Sequence, residues 1–135
     1  MQNITLILDS NEYIFGFRDK NSHSASLLTK IKFFKLKIPF IIIEEVDRNL
    51  PIDLQKKFYQ LIGDHAEIVF KLPPEEYLEK YRAQRLKSAD SLIAAYCEFL
   101  NVDFLISENR HFLVDFHPKS FKVFSAHDFL KSGLK

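Results

Sequence analysis

The chain has 135 residues and a formal net charge of +1, with 47% hydrophobic residues and only three glycines and five prolines. This length predicts one domain over residues 1–135, and the composition excludes a disordered or low-complexity protein. The near-neutral charge gives no strong overall field, so a polyanionic partner would need a local basic patch.

Targeting and redox signals are few. The single cysteine, Cys97, excludes an internal disulfide and any multi-cysteine metal site, and its apolar helical neighbours predict a buried hydrophobe. The longest apolar runs, at 4–8 and 38–43, are much shorter than the ~20 residues that span a bilayer. The opening MQNITLILDS has no basic region or small-residue cleavage site of a secretion signal. We therefore expect a cytoplasmic protein with no membrane association.

The first half of the chain alternates apolar runs with helical patterns. The predicted elements are a strand at 4–8, a helix carrying Tyr13, Ile14 and Phe17, a helix at 24–35, and a short strand within KLKIPF. The next stretch is ambiguous, because Ile41–Ile43 favour a strand by propensity. Pro39 at a first helical turn, with Glu44 and Glu45 beyond it, favours a helix.

The second half continues the alternation. Its predicted elements are an amphipathic helix PIDLQKKFYQLIG with Gly63 as stop signal, a strand AEIVFK, a helix PPEEYLEKYRAQRLK, a helix at 88–101 with Ser88 as N-cap, a strand DFLIS, a short helical turn, a strand at 121–124, and a last helix AHDFLKSG. Short strands alternating with helices predict an α/β fold. We expect three α/β/α layers around a central parallel sheet of four or five strands.

Polar residues follow two of the predicted strands. Asp9 comes directly after the first strand, and Asn109 lies just beyond DFLIS. In parallel sheets ligands bind at the carboxyl ends of the strands, so both residues are expected at one edge. Asp90 opens the helix that leads into the later strand, and Glu44 or Glu45 follows the second strand. Three or four oxygen ligands would therefore converge from distant parts of the chain.

Asp90 also has a simpler interpretation, because an acid in a first helical turn favours the helix dipole by roughly 0.3–1 kcal/mol. Its helical face carries Ile93 and Ala94 and should point inward, where an unpaired carboxylate is costly. A divalent cation offsets the repulsion between converging carboxylates, and Mg²⁺ and Mn²⁺ prefer oxygen ligands. The histidines are scattered singly, and neither a phosphate-binding glycine loop nor a G-x-S-x-G motif is present.

Several motifs resemble those of the PIN-domain family, which includes VapC-like ribonuclease toxins and related metal-dependent nucleases. LILDSNEYI resembles its strand–Asp–Ser/Thr–Asn opening, and IPFIIIEEVDRNL resembles its second, glutamate-bearing block. KSADSLIAAYCEFLNVDFLISENRHF is similar to the third and fourth blocks, which are the most specific. The resemblance runs over roughly residues 4 to 130 and is weaker between 51 and 85.

The resemblance implies a metal-dependent ribonuclease with a three-layer fold, using Mg²⁺ or Mn²⁺. It carries the catalytic and metal-binding acids onto Asp9, Glu45 and Asp90, with Glu44 as the alternative glutamate and Asn109 at the fourth position. Glu45 is preferred because E-V-x-R-N-L fits the family pattern. Aspartate is common at the fourth position, and an asparagine there adds no charge, which weakens the case for a second metal.

Further side chains are predicted around these acids. Ser107 and Asn11 would position waters or ligands, and Asn11 is equally well explained as a capping residue. The basic residues expected to contact RNA phosphates are Lys87, Arg110 and Arg85, with Arg82 as a further candidate. Arg82 and Arg85 fit a solvated charged face equally well.

Partners and competing functions complete the expectations. RNA is the expected substrate, and an antitoxin protein or a second copy of the chain the expected partner. Helical surface for association is predicted at Phe33, Phe34, Phe58, Tyr59 and Leu61. Alternatives are a PIN-like binding or scaffold module without catalysis, a metal-dependent phosphatase, and a DNA nuclease.

Overall fold

The structure, a computed structural model, describes residues 3–84, 86–114 and 116–134. The strands in these ranges are β1 (Thr5–Leu8), β2 (Lys35–Pro39), β3 (Ala66–Val69), β4 (Phe104–Ile106) and β5 (Lys122–Phe124). The helices are α1 (Ser10–Arg18), α2 (His23–Thr29), α3 (Phe40–Asn49), α4 (Ile52–His65), α5 (Glu75–Arg82), α6 (Ser88–Phe99), α7 (Arg110–Leu113) and α8 (Ala126–Lys131).

The strands form one parallel sheet in the order β3-β2-β1-β4-β5. Leu8 pairs with Ile106, so the predicted parallel pairing of the first strand with DFLIS is confirmed. From β1 the chain moves outward through β2 and β3, then crosses to β4 and β5 on the other side. Right-handed crossovers therefore place helices on both faces, which confirms the predicted three-layer α/β/α fold. The direction reverses between β1 and β4, where ligands bind in such sheets.

The central strand β1 is apolar because both of its faces are covered. Leu6, Ile7 and Leu8 are fully buried, and they belong to a contiguous hydrophobic cluster. Cys97 is also fully buried, as its apolar neighbours predict. Among the described residues, no helix is both long and apolar enough to cross a membrane.

The predicted helix at 24–35 is wrong in its second half. Helix α2 ends at Thr29, one turn of 3-10 helix follows at Ile31–Phe33, and β2 begins at Lys35. The Lys35 amide donates to the carbonyl of Ile4 at 2.9 Å, which draws this segment into the sheet. Pairing with β1 therefore overrides the helical spacing of the apolar residues.

Two predicted helix boundaries also differ. Helix α4 continues past Gly63 to His65, and the amide of Ala66 caps it by donating to the Ile62 carbonyl. Lys87, not Ser88, occupies the N-cap of α6, and its side chain makes no capping hydrogen bond. The ambiguous stretch after Pro39 is helical, as the proline and the glutamates favour.

Candidate active site

Asp9 is fixed at the carboxyl end of the central strand. Its backbone amide donates to the Ile106 carbonyl at 2.9 Å, which continues the β1–β4 pairing by one step. Its Oδ1 accepts from the Ser10 amide at 2.8 Å, and its Oδ2 accepts from the Ser107 hydroxyl at 2.8 Å. The residue is 8% exposed. Both carboxylate oxygens therefore have defined directions, because one caps α1 and the other contacts the residue that follows β4.

Burial raises the pKa of Asp9 above its ordinary value. The hydrogen bonds from Ser107 and Ser10 lower it, and the charges of Glu45 and Asp90 raise it further. Hydrogen bonds to a carboxylate favour the charged form, whereas nearby like charges disfavour it. Asp9 is therefore held in place by donors but lies among other acids, as the sequence predicts for a carboxylate cluster.

Asp90 lies in the first turn of α6 and is half-buried. Burial raises its pKa, and the charge of Glu45 also raises it, whereas Asn109, Lys87 and His111 lower it. A favourable helix dipole would favour the ionised form and lower the pKa. Burial therefore disfavours the charged carboxylate at this position, which is the opposite of what a dipole interaction alone would do.

The two glutamates of the second block, Glu44 and Glu45, have different surroundings. Glu44 is exposed on α3, whereas Glu45 is half-buried. The charge of Glu45 raises the pKa of both Asp9 and Asp90, so its carboxylate faces the cluster. The geometry therefore agrees with the family pattern in preferring Glu45.

Asn109 contacts the cluster through its amide nitrogen. Its Nδ2 donates to Oδ2 of Asp90 at 3.4 Å, and its Oδ1 accepts from the His111 amide at 3.0 Å. Its own backbone amide donates to the Ser107 hydroxyl at 3.0 Å. The side-chain oxygen of Asn109 therefore caps α7, and the side chain orients Asp90 in this arrangement.

The donor chemistry of the cluster suits a divalent cation. Asp9, Glu45 and Asp90 are oxygen ligands of the kind that Mg²⁺ and Mn²⁺ prefer, and their mutual repulsion is what a cation would relieve. In residues 3–84, 86–114 and 116–134, however, no three Asp, Glu, His or Cys side chains are gathered closely enough to hold an ion. The acids therefore share one electrostatic environment without forming a closed set of ligands.

The remaining predicted residues divide into contacting and distant groups. Ser107 is fully buried and contacts Asp9, whereas Asn11 is exposed and has no hydrogen bond to an acid in the described part of the chain. The charge of Lys87 reaches Asp90, and Arg110 is exposed at the start of α7. Arg85 lies outside the described residues.

Arg82 fits the alternative that the sequence left open. It pairs with Glu75 at 3.0 Å, and both side chains are more than half exposed. It therefore lies on a solvated charged face of α5 rather than beside the acids.

A buried acid next to the cluster, Glu12, and its neighbour Glu108 are missing from the sequence predictions. Glu12 is fully buried, and its Oε1 accepts from the Ser24 hydroxyl at 2.8 Å. Burial and the neighbouring Glu108 raise the pKa of Glu12 to about 9. Glu12 is therefore protonated at neutral pH, and its Oε2 has no hydrogen-bond partner among the described residues. Oε2 of Glu108 accepts from the Ala126 amide at 3.0 Å. The available signal is the spacing of three residues from Asp9, which places Glu12 on the same side of α1.

The fold has counterparts among solved structures. No protein-family model and no curated protein sequence matches the chain. The VapBC2 structure from Rickettsia felis, bound to a promoter DNA fragment, matches with a TM-score of 0.68 and 16% identity. The match covers 90% of this chain and 98% of the matched chain in the VapBC2 structure. The chain therefore has a PIN-like fold of the VapC kind.

Two further structures support the same fold. DNA-bound VapBC from Salmonella typhimurium matches with a TM-score of 0.64 and 15% identity, over 91% of this chain and 98% of the other. PAE2754 from Pyrobaculum aerophilum matches with a TM-score of 0.60 and 18% identity, over 96% of this chain and 88% of PAE2754. At such identities the likeness is one of fold, and the residues of the site have to carry any argument about chemistry.

Asn109→Asp is expected to tighten Mn²⁺ binding by about ten-fold, because a second carboxylate then faces Asp90. Without metal the new repulsion should lower the melting temperature, and saturating Mn²⁺ should restore it. Calorimetric titration with Mn²⁺ and thermal melts measure both effects. Asn21→Asp, at an exposed turn between α1 and α2, is the control and should leave both values unchanged. Equal Mn²⁺ affinities for the wild type and Asn109→Asp would contradict a cation beside Asp90.

Proposed function

We propose that the chain is a metal-dependent endoribonuclease that hydrolyses RNA phosphodiester bonds with Mg²⁺ or Mn²⁺. One observation carries the proposal: Asp9, Glu45 and Asp90 come from three separate elements, burial raises the pKa of Asp9 and Asp90, and the charge of Glu45 raises both further. Asp9 lies at the carboxyl edge where the strand order reverses, and Asp90 reaches the same edge through its contact with Asn109, which follows β4. An arrangement that disfavours its own ionised state is typical of a functional site.

In this proposal Asp9, Glu45 and Asp90 hold the cation. Once bound, such a cation activates water for in-line attack and offsets charge on the phosphate. Ser107 and the Ser10 amide keep Asp9 oriented. Asn109 orients Asp90.

Substrate contacts in the proposal come from basic residues near Asp90. The exposed side chains of Lys87 and Arg110 would contact RNA phosphates and set the register of the strand. Arg85 would join them from the segment between α5 and α6. The net charge of +1 means that these local contacts, rather than a general field, would attract the polyanion.

We further propose that the chain is the toxin of a toxin–antitoxin pair. The support is that two structural neighbours are VapBC complexes. An antitoxin segment lying across the acidic edge would block access to the carboxylates, and two copies of the chain would pair through exposed apolar surface. Phe33 and Tyr59 are exposed as that surface requires, but Phe58 is fully buried against Tyr13, so its predicted part in association is wrong.

Cleavage of a mixed RNA pool tests the nuclease proposal. The purified chain should cut RNA with Mn²⁺ or Mg²⁺, and EDTA should stop the reaction. Ca²⁺ should support it poorly, because its looser coordination suits in-line attack less well. Gel analysis of end-labelled RNA measures the rates.

Asp90→Asn and Asp53→Asn form the matched pair for this experiment. Both acids lie in the first turn of a helix, but Asp53 is exposed on α4. Asp90→Asn should lose activity, whereas Asp53→Asn should keep it. Equal cleavage by the wild type and Asp90→Asn would indicate a contaminating nuclease. Absence of cleavage across many RNAs would favour the scaffold alternative, and cleavage of DNA instead would identify the other polymer.

A further inference from the structure

Two phenylalanine rings stand exposed side by side near the acids. The side chains of Phe40 and Phe70 are 41% and 70% exposed, and their ring centroids lie 5.3 Å apart with 33° between the planes. Large aromatic residues are costly to leave in water, and neighbouring exposed rings are typical of a binding surface. We call the pair the ring platform.

The strand register places the ring platform at the acidic edge. Pro39 pairs with Val69 at the ends of β2 and β3. Phe40 and Phe70 are the residues that directly follow these two strands. The β1–β2 register sets Leu6 opposite Leu36, so Asp9 lies at the level of Pro39. The platform therefore begins one strand away from Asp9 at the same edge of the sheet. Phe40 also begins α3, the helix that carries Glu45.

The charge around the ring platform suits a polyanion. Lys71 directly follows Phe70 and is exposed, and its Nζ lies 6.0 Å from the Phe99 ring centroid. Within the described ranges no carboxylate pairs with Lys71. Because Lys71 directly follows Phe70, its exposed side chain can turn from Phe99 toward a phosphate next to the rings.

We propose that the ring platform stacks a nucleobase of single-stranded RNA, with Lys71 contacting an adjoining phosphate. This inference rests on the proposed ribonuclease function and deepens it, because it makes single-stranded RNA the substrate class. Proteins that bind single strands without sequence preference combine aromatic stacking surfaces with basic groups that follow the backbone. The ring platform supplies the aromatic stacking surface. Lys71 on one side and Lys87 on the other supply the basic groups.

A protein partner is the competing occupant. Ile68 and Leu72 are 37% and 64% exposed and extend the apolar surface along β3. Exposed aromatic rings followed directly by a lysine, at the same edge of the sheet as Asp9, favour a base and its phosphate over an aliphatic protein surface. Loss of the aromatic ring should affect binding of a nucleobase and binding of a protein partner differently, so an experiment can distinguish the two occupants.

Binding of a fluorescent ten-nucleotide oligouridine in EDTA, where a metal-dependent nuclease cannot cut, tests the inference. Phe70→Leu and Phe40→Leu keep an apolar side chain but lose the ring, and each should weaken binding by about ten-fold in anisotropy titrations. Neither should change the affinity for an abasic oligonucleotide of the same length. Phe15→Leu is the matched control, because Phe15 is 45% exposed on α1 and lies outside both the ring platform and the predicted association surface. It should bind like the wild type.

A tryptophan at the platform gives an independent readout. The chain contains no tryptophan, so Phe70→Trp places one reporter there. This variant should bind RNA at least as tightly as the wild type, and stacking of a base should quench its fluorescence. Phe15→Trp should show no quenching at the same RNA concentrations.

The outcomes separate this inference from the nuclease proposal. Ring-dependent RNA binding without cleavage under Mn²⁺ supports the platform and contradicts the nuclease. If the wild type cleaves RNA, but Phe40→Leu and Phe70→Leu bind RNA as tightly as the wild type, only the platform is overturned. A wild type that binds no oligouridine also overturns it. Light scattering that shows loss of a dimer in Phe70→Trp, with RNA affinity unchanged, would assign the rings to a protein contact and overturn the inference.

Discussion

Asp9→Asn is expected to lower the rate of Mn²⁺-dependent RNA cleavage by about a hundred-fold or more, because it removes charge where the proposed cation would bind. The chain should still fold. The introduced amide oxygen can accept from the Ser10 amide, and its NH₂ group can donate to the Ser107 hydroxyl, so both contacts of Asp9 keep a partner. Loss of an acid that repels Glu45 and Asp90 should even raise the melting temperature without metal.

Asp64→Asn is the control for this substitution. Asp64 is an exposed aspartate near the end of α4, just before β3 and at the opposite edge of the sheet. Its replacement should leave both cleavage and Mn²⁺ binding unchanged. Cleavage rates, calorimetry with Mn²⁺ and thermal melts of the three proteins measure the effect. An Asp9→Asn protein that cleaves like the wild type would rule out Asp9 as part of the catalytic site.

Glu12→Gln is expected to stabilise the folded chain by on the order of 3 kcal/mol at pH 7, or roughly 10 °C in melting temperature. The glutamine keeps the shape of the protonated carboxyl. Its oxygen can accept from Ser24, and its nitrogen can donate to Glu108, whose charge raises the pKa of Glu12. The substitution therefore removes an ionisable group without removing its contacts.

The direction of this stability change follows from the pKa of Glu12 in the folded and unfolded states. Its pKa rises from 4.5 to about 9 in the folded chain, largely because of burial. Below pH 4.5 the carboxyl is protonated in both states and costs nothing. Between pH 4.5 and about 9 only the folded state binds the proton, so stability falls by about 1.4 kcal/mol per pH unit. Over the interval from 4.5 to 7 this gives the order of magnitude stated above.

Thermal melts at several pH values between 5 and 9 measure this difference. The gap between Glu12→Gln and the wild type should be small at pH 5 and widen steadily as the pH rises. Glu76→Gln, an exposed position in the first turn of α5, should show no such widening. A constant gap across the range would mean that Glu12 gains or loses no proton on folding.

The main acidic residues are visible in the sequence because local patterns carry them. Asp9 directly follows an apolar strand, and Asp90 opens an apolar helix, so each is placed by its own segment. The topology of a parallel sheet then brings the two segments to one edge. Glu45 requires the family pattern as well, because periodicity alone does not separate it from Glu44.

The Glu12 pair is not visible in the same way. Its partner Glu108 lies 96 residues further along the chain, as the numbering shows, and an acid in a first helical turn is ordinarily explained by the helix dipole. Long-range pairing also explains the end of α2, where contact with β1 overrides local spacing. The role of Asn109 differs for a similar reason, because its oxygen caps α7 and only its nitrogen reaches Asp90.

Strand β3 lies at the open edge of the sheet, where unpaired backbone groups can recruit a strand from another molecule. Three features oppose such aggregation. The strand has only four residues, Glu67 carries charge at its middle and pairs with Lys37 at 3.5 Å, and Pro73 and Pro74 follow without amide donors. With a net charge of only +1, the chain has little general repulsion between copies. Resistance to amyloid-like association therefore depends on these few residues. Because they protect the edge strand, the nearby apolar surface can be exposed without promoting aggregation.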